Sequence, residues 1–140
     1  MPQKPPRLFL LLSQAQHRLL KSADATYREA LGISGTQLGV LFFLQKNAGA
    51  LLKDVSEELK INPSAITGLI GRMEEAGLVE RHPSDDDARS VQIFATEDGL
   101  AKAIAARPIL ARMNARLTEG FDQDEIATVA RFLNSILDRF

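Results

Sequence analysis

Apolar residues recur along this chain with two different periods, and the change between them marks out its elements. Leu8, Leu12, Ala15, Leu19, Ala23 and Tyr27 follow helical spacing, so residues 7–31 read as a long first helix with Gly32 as its stop signal. Ser34 is a good N-cap for a second helix that carries Leu38, Leu41 and Phe42 and ends near Asn47 and Gly49. Leu52, Val55 and Leu59 form one apolar stripe over residues 51–60. Asn62 can then cap a new helix, and Pro63 suits its first position, where no intrahelical N–H is lost. Ile66, Leu69, Ile70 and Met73 recur at i, i+3, i+4 and i+7 before Gly77 ends that helix. The period then changes. Residues 78–82 and 90–95 read as short strands flanking a polar, turn-forming stretch, which makes a β-hairpin with a loose tip. Residues 96–119 return to helix, with Pro108 expected to kink or split it. Asp122 caps a last helix whose Ile126, Val129, Ala130, Leu133, Ile136, Leu137 and Phe140 form a wide apolar face.

Composition narrows the chemistry. The chain has 140 residues, 45% hydrophobic and 25% charged, which is enough for a core without staples. Its lack of cysteine excludes disulfides, thiolate metal sites and a cysteine nucleophile. The two histidines, His17 and His82, have no neighbours at metal-ligand spacing. There is no nucleophile elbow or Gly-rich phosphate loop either, so neither an enzyme nor a cofactor is expected. Lys4 and Arg7 precede the apolar run 8–12, which is shorter than the roughly 7–15 residues of a signal-peptide core. No stretch reaches the roughly 18 apolar residues of a membrane span. The expectation is a cytoplasmic protein whose residues 1–6 form a loose arm.

Helix, short turn, helix and hairpin is the order of a winged helix-turn-helix, whose second helix enters the major groove of DNA while the hairpin reaches the neighbouring backbone or minor groove. The expected class is mainly α with a small β-hairpin wing (α+β). With its apolar stripe turned to the core, the helix over 62–76 presents Ser64, Thr67, Gly68, Gly71, Arg72 and Glu75 outward. Hydroxyls bond phosphates or base edges, a threonine methyl packs on thymine, and Arg72 is the one strong donor. Each interior glycine costs a helix about 0.8–1 kcal/mol relative to alanine. Two on the outward face point to something approaching the backbone closely, with tolerance on an exposed helix or a packed neighbouring helix as the plain alternatives.

The run Asn62-Pro63-Ser64-Ala65-Ile66-Thr67-Gly68-Leu69-Ile70-Gly71-Arg72-Met73-Glu74-Glu75-Ala76-Gly77-Leu78-Val79-Glu80-Arg81 resembles the recognition helix and first wing strand of the MarR (multiple antibiotic resistance regulator) family. Asp87-Ala88-Arg89-Ser90 is similar to that family's Asp-x-Arg wing tip, and Thr96-Glu97-Asp98-Gly99 to its Thr-x-x-Gly helix start. The resemblance implies a homodimeric, sequence-specific transcriptional regulator on a pseudo-palindromic operator. It is expected to act as a repressor and, as often in the family, to be released by an aromatic or phenolic ligand. The resemblance also implies a lobe over 34–96 and a helical dimerisation region from 7–33 and 97–140. On these positions Ser64, Ala65, Thr67, Gly68, Gly71 and Arg72 face double-stranded DNA, Arg89 enters the minor groove, and Asp87 holds the wing tip in shape. Arg18, Tyr27 and Phe43 become candidates for the ligand crevice. Gly68, Gly71 and Ala88 depart from the family, which often has charged side chains there.

The terminal helices are apolar for a monomer of this length. Leu8, Leu12, Ile126, Leu133, Ile136, Leu137 and Phe140 are therefore expected at a twofold interface, against the alternative that both stripes close onto their own chain. Charge cuts the other way from DNA. Residues 51–96 carry five basic residues (Lys53, Lys60, Arg72, Arg81, Arg89) and nine acidic ones (Asp54, Glu57, Glu58, Glu74, Glu75, Glu80, Asp85, Asp86, Asp87), a net of −4, while residues 1–50 are net +4. A winged-helix protein–protein module without DNA binding is the alternative this leaves open.

Overall fold

Side-chain caps fix most of the helix starts in the computed structural model, which describes residues 2–86 and 90–140. The long helix α1 (Leu8–Leu31) ends at Gly32 in the left-handed conformation. Ser34 then opens α2 (Gly35–Lys46) with a capping box: its Oγ accepts from Gln37 N–H, and Gln37 Oε1 accepts from Ser34 N–H. Asp24 of α1 adds a second tie, accepting from Gly35 N–H at 2.8 Å and from Arg28 at 2.7 Å. Two short elements follow, strand β1 (Ala50–Leu51) and helix α3 (Leu52–Leu59). Helix α4 (Pro63–Glu75) starts under the Asn62 cap with Pro63 in its first turn.

Strands β2 (Val79–Pro83) and β3 (Val91–Ala95) pair antiparallel, Val79 opposite Ala95 through Pro83 opposite Val91. The sheet is larger than the expected hairpin. β1 joins the other edge of β3, with Ala50 opposite Ile93, giving a three-stranded sheet in the order β1-β3-β2. Gly49 makes this possible. Its φ of 78° turns its N–H onto Ile93 O at 3.0 Å, and a Cβ there would press on the Phe94 ring.

The chain divides into two compact units, Met1–Ala106 and Arg107–Phe140. In the first, Leu38, Val40, Leu41 and Leu44 of α2, Val55 of α3, Ile66, Ile70 and Met73 of α4, and Val79 and Ile93 of the sheet form a dry core. Helix α2 buries more than one face, a wider contact than the stripe in its sequence predicts. Helix α5 (Glu97–Leu117) opens on Thr96, whose hydroxyl donates to Gly77 O at 2.6 Å and accepts from Gly99 N–H at 3.0 Å. A Cβ on Gly99 would collide with the Leu78 carbonyl, so the Thr-x-x-Gly spacing is a packing requirement. Lys102 closes the other side by donating to Leu31 O at 2.5 Å, the end of α1.

Pro108 does not split α5, which runs unbroken from Glu97 to Leu117. The carbonyl that proline leaves unpaired belongs to Ile104, an exposed residue, so water can satisfy it. In the second unit Asp122 caps α6 (Gln123–Arg139) with a capping box to Glu125. No residue of α6 is fully buried.

Candidate nucleic-acid interface

Helix α4 is divided cleanly by burial. Ile66, Leu69, Ile70 and Met73 are buried, while Ser64, Ala65, Thr67, Gly68, Arg72 and Glu75 are exposed and Gly71 is half-buried. The inward stripe at i, i+3, i+4 and i+7 therefore sets which side chains face out. Two of the outward hydroxyls have given up their protons to the chain. Ser64 Oγ donates to Asn62 Oδ1 at 3.0 Å, and Thr67 Oγ1 to Pro63 O at 3.3 Å. Each oxygen keeps acceptor capacity, and the Thr67 methyl remains free for apolar contact. The Arg72 guanidinium lies back along the helix, 3.3 Å from where a Cβ on Gly68 would stand. Around Gly71 no described atom beyond its chain neighbours and its own helix backbone lies within 4 Å of an added Cβ. A neighbouring helix of this chain is thus not what keeps residue 71 small.

The turn before α4 is held by Ser56, a residue that the sequence pattern does not bring forward. Ser56 is buried, and its hydroxyl donates to Ile61 O at 2.5 Å while Ile61 N–H bonds Ser56 O at 3.0 Å. The signal available for it is a polar residue next to Val55 on the buried side of α3. Lys60 takes the left-handed conformation there (φ 56°), the one non-glycine residue with positive φ among the described residues. A cleft of about 270 Å³ separates α3 from α4, lined by residues including Leu52, Lys53, Glu57, Pro63 and Thr67.

The wing begins at β2. Glu74, in the last turn of α4, grips Arg81 of β2 twice: Oε1 accepts from Nη2 at 3.0 Å and Oε2 from the backbone N–H at 3.2 Å. The arginine holds the Glu74 carboxyl below its ordinary 4.5. His82 Nε2 sits 3.2 Å from Glu80 Oε2, and its ring meets Phe94 edge-on with centroids 5.4 Å apart. Asp85 and Asp86 are exposed, and Ser84 N–H reaches across to Ser90 O at 2.9 Å. The wing residues Asp87, Ala88 and Arg89, including the expected minor-groove arginine and its supporting aspartate, lie outside the described residues.

Comparison with known proteins decides what this arrangement is. The model of the MarR family matches residues 31–90, which span α2 to the wing. The HTH-type transcriptional repressor MdtR of Bacillus subtilis is 30% identical over 113 residues, covering 78% of this chain and 70% of MdtR. The chain belongs to the MarR family. The multiple antibiotic resistance protein MarR of Salmonella typhimurium is 29% identical over 133 residues, 94% of this chain and 89% of its own. The structure of a cysteine-to-serine variant of Escherichia coli MarR complexed with operator DNA superposes with a TM-score of 0.79 at 24% identity, covering 96% of this chain and 99% of that one. MarR-family proteins are transcription regulators and not enzymes, so α4 and the wing belong to a DNA-binding regulator with a winged helix fold.

Within this MarR-family lobe the supply of free cations is small. Arg81 is engaged by Glu74 and His82 faces Glu80, whereas Lys53, Lys60 and Arg72 have no ion-pair partner among the described residues. Of the ligand candidates, Tyr27 is buried, with its phenol pushed above 10.0 by desolvation, Phe43 is half-buried and Arg18 is exposed. Of the interface candidates, Leu137 and Phe140 are 79% and 100% exposed, Leu8 and Leu133 are exposed, and Leu12, Ile126 and Ile136 are half-buried. Phe9, absent from the interface expected on sequence, is 90% exposed. Among the described residues no helix is long and apolar enough to cross a membrane.

Proposed function

We propose that this regulator is a repressor that binds a pseudo-palindromic operator as a homodimer and leaves it when a small aromatic or phenolic ligand binds. The observation that carries the reading is the bare outward face of α4, where Ser64, Ala65, Thr67, Gly68 and Arg72 are exposed beside the open space at Gly71. That face enters the major groove, with Arg72 as the donor to a base edge and Thr67 against a thymine methyl. Arg89 reaches the minor groove, oriented by Asp87. Similarity to MdtR, a transcriptional repressor, supports the sign of the regulation. Exposed apolar residues on α1 (Leu8, Phe9) and on α6 (Leu133, Leu137), together with Phe140, support cover by a second copy. Twofold symmetry then places two lobes about 34 Å apart on the duplex. Arg18 and Phe43 supply a cation and a ring to the ligand, with Tyr27 beneath.

Selection of duplexes from a randomised pool tests the operator, and solution mass tests the dimer. The expected result is a palindromic duplex bound by a particle of twice the chain's mass. Arg72→Ala then costs roughly 1–3 kcal/mol and relaxes preference at one position of each half-site. Equal binding by wild type and Arg72→Ala overturns the assignment of Arg72. Benzoate- and phenol-class compounds are expected to release the duplex, and failure across that class removes the effector from the proposal.

A further inference from the structure

The two contacts with DNA come from different elements, and one charged pair joins them. Glu74 lies at the end of α4, and Arg81 lies in β2, across the turn at Gly77. The carboxylate takes both the guanidinium and the backbone N–H of Arg81, so it fixes the strand itself and not only a side-chain tip. The register carries the constraint further, because Arg81 stands opposite Ile93, a fully buried residue of β3. We propose that Glu74 and Arg81 form a clasp that sets the pitch of the wing against the recognition helix, so that both meet the same duplex. Arg81 is thereby a positioning residue and not a phosphate contact. The inference rests on the DNA reading of α4 and the wing given above.

Electrostatics gives the clasp a test with a sign. DNA is a polyanion, and residues 51–96 of the lobe are already net −4. If Glu74 were a bystander, neutralising it would tighten DNA binding and free Arg81 for a phosphate. If Glu74 positions the wing, neutralising it weakens binding despite the better charge. The loss follows from the fraction of wings held in the competent pose. A fall to about a third in each of two protomers lowers apparent affinity about tenfold.

The experiment uses the full chain and the duplex that the wild-type protein enriches from a randomised pool. Glu74→Gln keeps an acceptor for the Arg81 N–H but removes the charge, and its side chain is exposed enough for the fold to survive, as circular dichroism will report. The expected result is about tenfold weaker binding, with hydroxyl-radical protection lost in the flanking minor groove and protection of guanine N7 from methylation kept in the major groove. Arg81→Glu is expected to be weak as well, and the exchanged pair Glu74→Arg with Arg81→Glu to recover only part of the loss, because a guanidinium at 74 restores the ion pair but cannot accept from the residue 81 N–H. Unchanged or tighter binding by Glu74→Gln overturns the clasp, as does an exchanged pair no better than Arg81→Glu. If the wild-type protein enriches no duplex at all, the DNA reading itself falls, which is a different outcome from either.

Discussion

Lys60 is the residue that local preference would not choose. Its φ of 56° places a β-carbon in a region that costs an L-residue roughly 1–2 kcal/mol and glycine almost nothing. The turn leaves it no alternative, because Ser56 and Ile61 bond each other on both sides of it. Lys60→Gly is therefore expected to stabilise the lobe by about 0.5–1 kcal/mol, after allowing for the more flexible unfolded chain. Lys60→Ala keeps the strained β-carbon and is expected to lie within about 0.5 kcal/mol of wild type. Urea midpoints read both, and a destabilised glycine variant would show that the lysine side chain contributes more than its backbone conformation costs. At this scale the sequence is legible where a side chain serves its own helix. Ser34, Asn62 and Asp122 act as caps where the pattern puts them. It is not legible where the partner is distant in the chain, as for Lys102 on Leu31 O, because nothing local marks a lysine that caps another helix.

Between elements, the join of α1 to α2 rests on one carboxylate. Asp24 accepts from Arg28 and from Gly35 N–H, and these two bonds hold its pKa below the ordinary 3.8. A carboxyl with a lowered folded value stabilises the fold fully above its unfolded value and loses that contribution as pH falls through the folded one. Acid titration of stability is thus expected to steepen below about pH 4. Asp24→Asn is expected to flatten that limb while leaving the neutral-pH fold intact. An identical acid limb in the two proteins would show that Asp24 does not couple the helices. The order of elements is largely readable, because period, caps and glycines all change at the same places in the chain. The exceptions are physical. β1 is only two residues long and carries no alternation, so it exists only because Gly49 turns the chain onto β3. Pro108 marks a lost hydrogen bond but not a break, since the exposed turn at Ile104 lets solvent replace it. The clasp between Glu74 and Arg81 needs the turn at Gly77 to fold back before two ordinary surface charges become neighbours.

For the whole molecule, charge distribution governs how it meets a polyanion. The chain is net −1, and its DNA-facing segment is more acidic than the remainder. Pairing reduces the available cations further, since Arg81 is held by Glu74 and Arg28 by Asp24. Lys46, Lys53, Lys60 and Arg72 have no ion-pair partner in the described part of the lobe, with Arg89 as the expected addition from the wing. Lys4 of the exposed N-terminal arm and Arg7 at the start of α1 add to the supply. Four to six phosphate contacts per dimer correspond to a slope of log affinity against log salt of about −4 to −5. Affinity measured between about 50 and 200 mM salt on one operator duplex is the check. A slope near −10 would mean that nearly all of these cations, in both protomers, reach phosphate. A shallow slope carries a consequence for recognition. With little nonspecific attraction to any duplex, discrimination between operator and bulk DNA has to come from fitted contacts, those proposed for Arg72, Thr67 and the wing. Arg72→Ala is then expected to narrow the ratio of operator to random-duplex affinity, whereas a Lys53→Ala variant is expected to weaken both in proportion and leave their ratio unchanged.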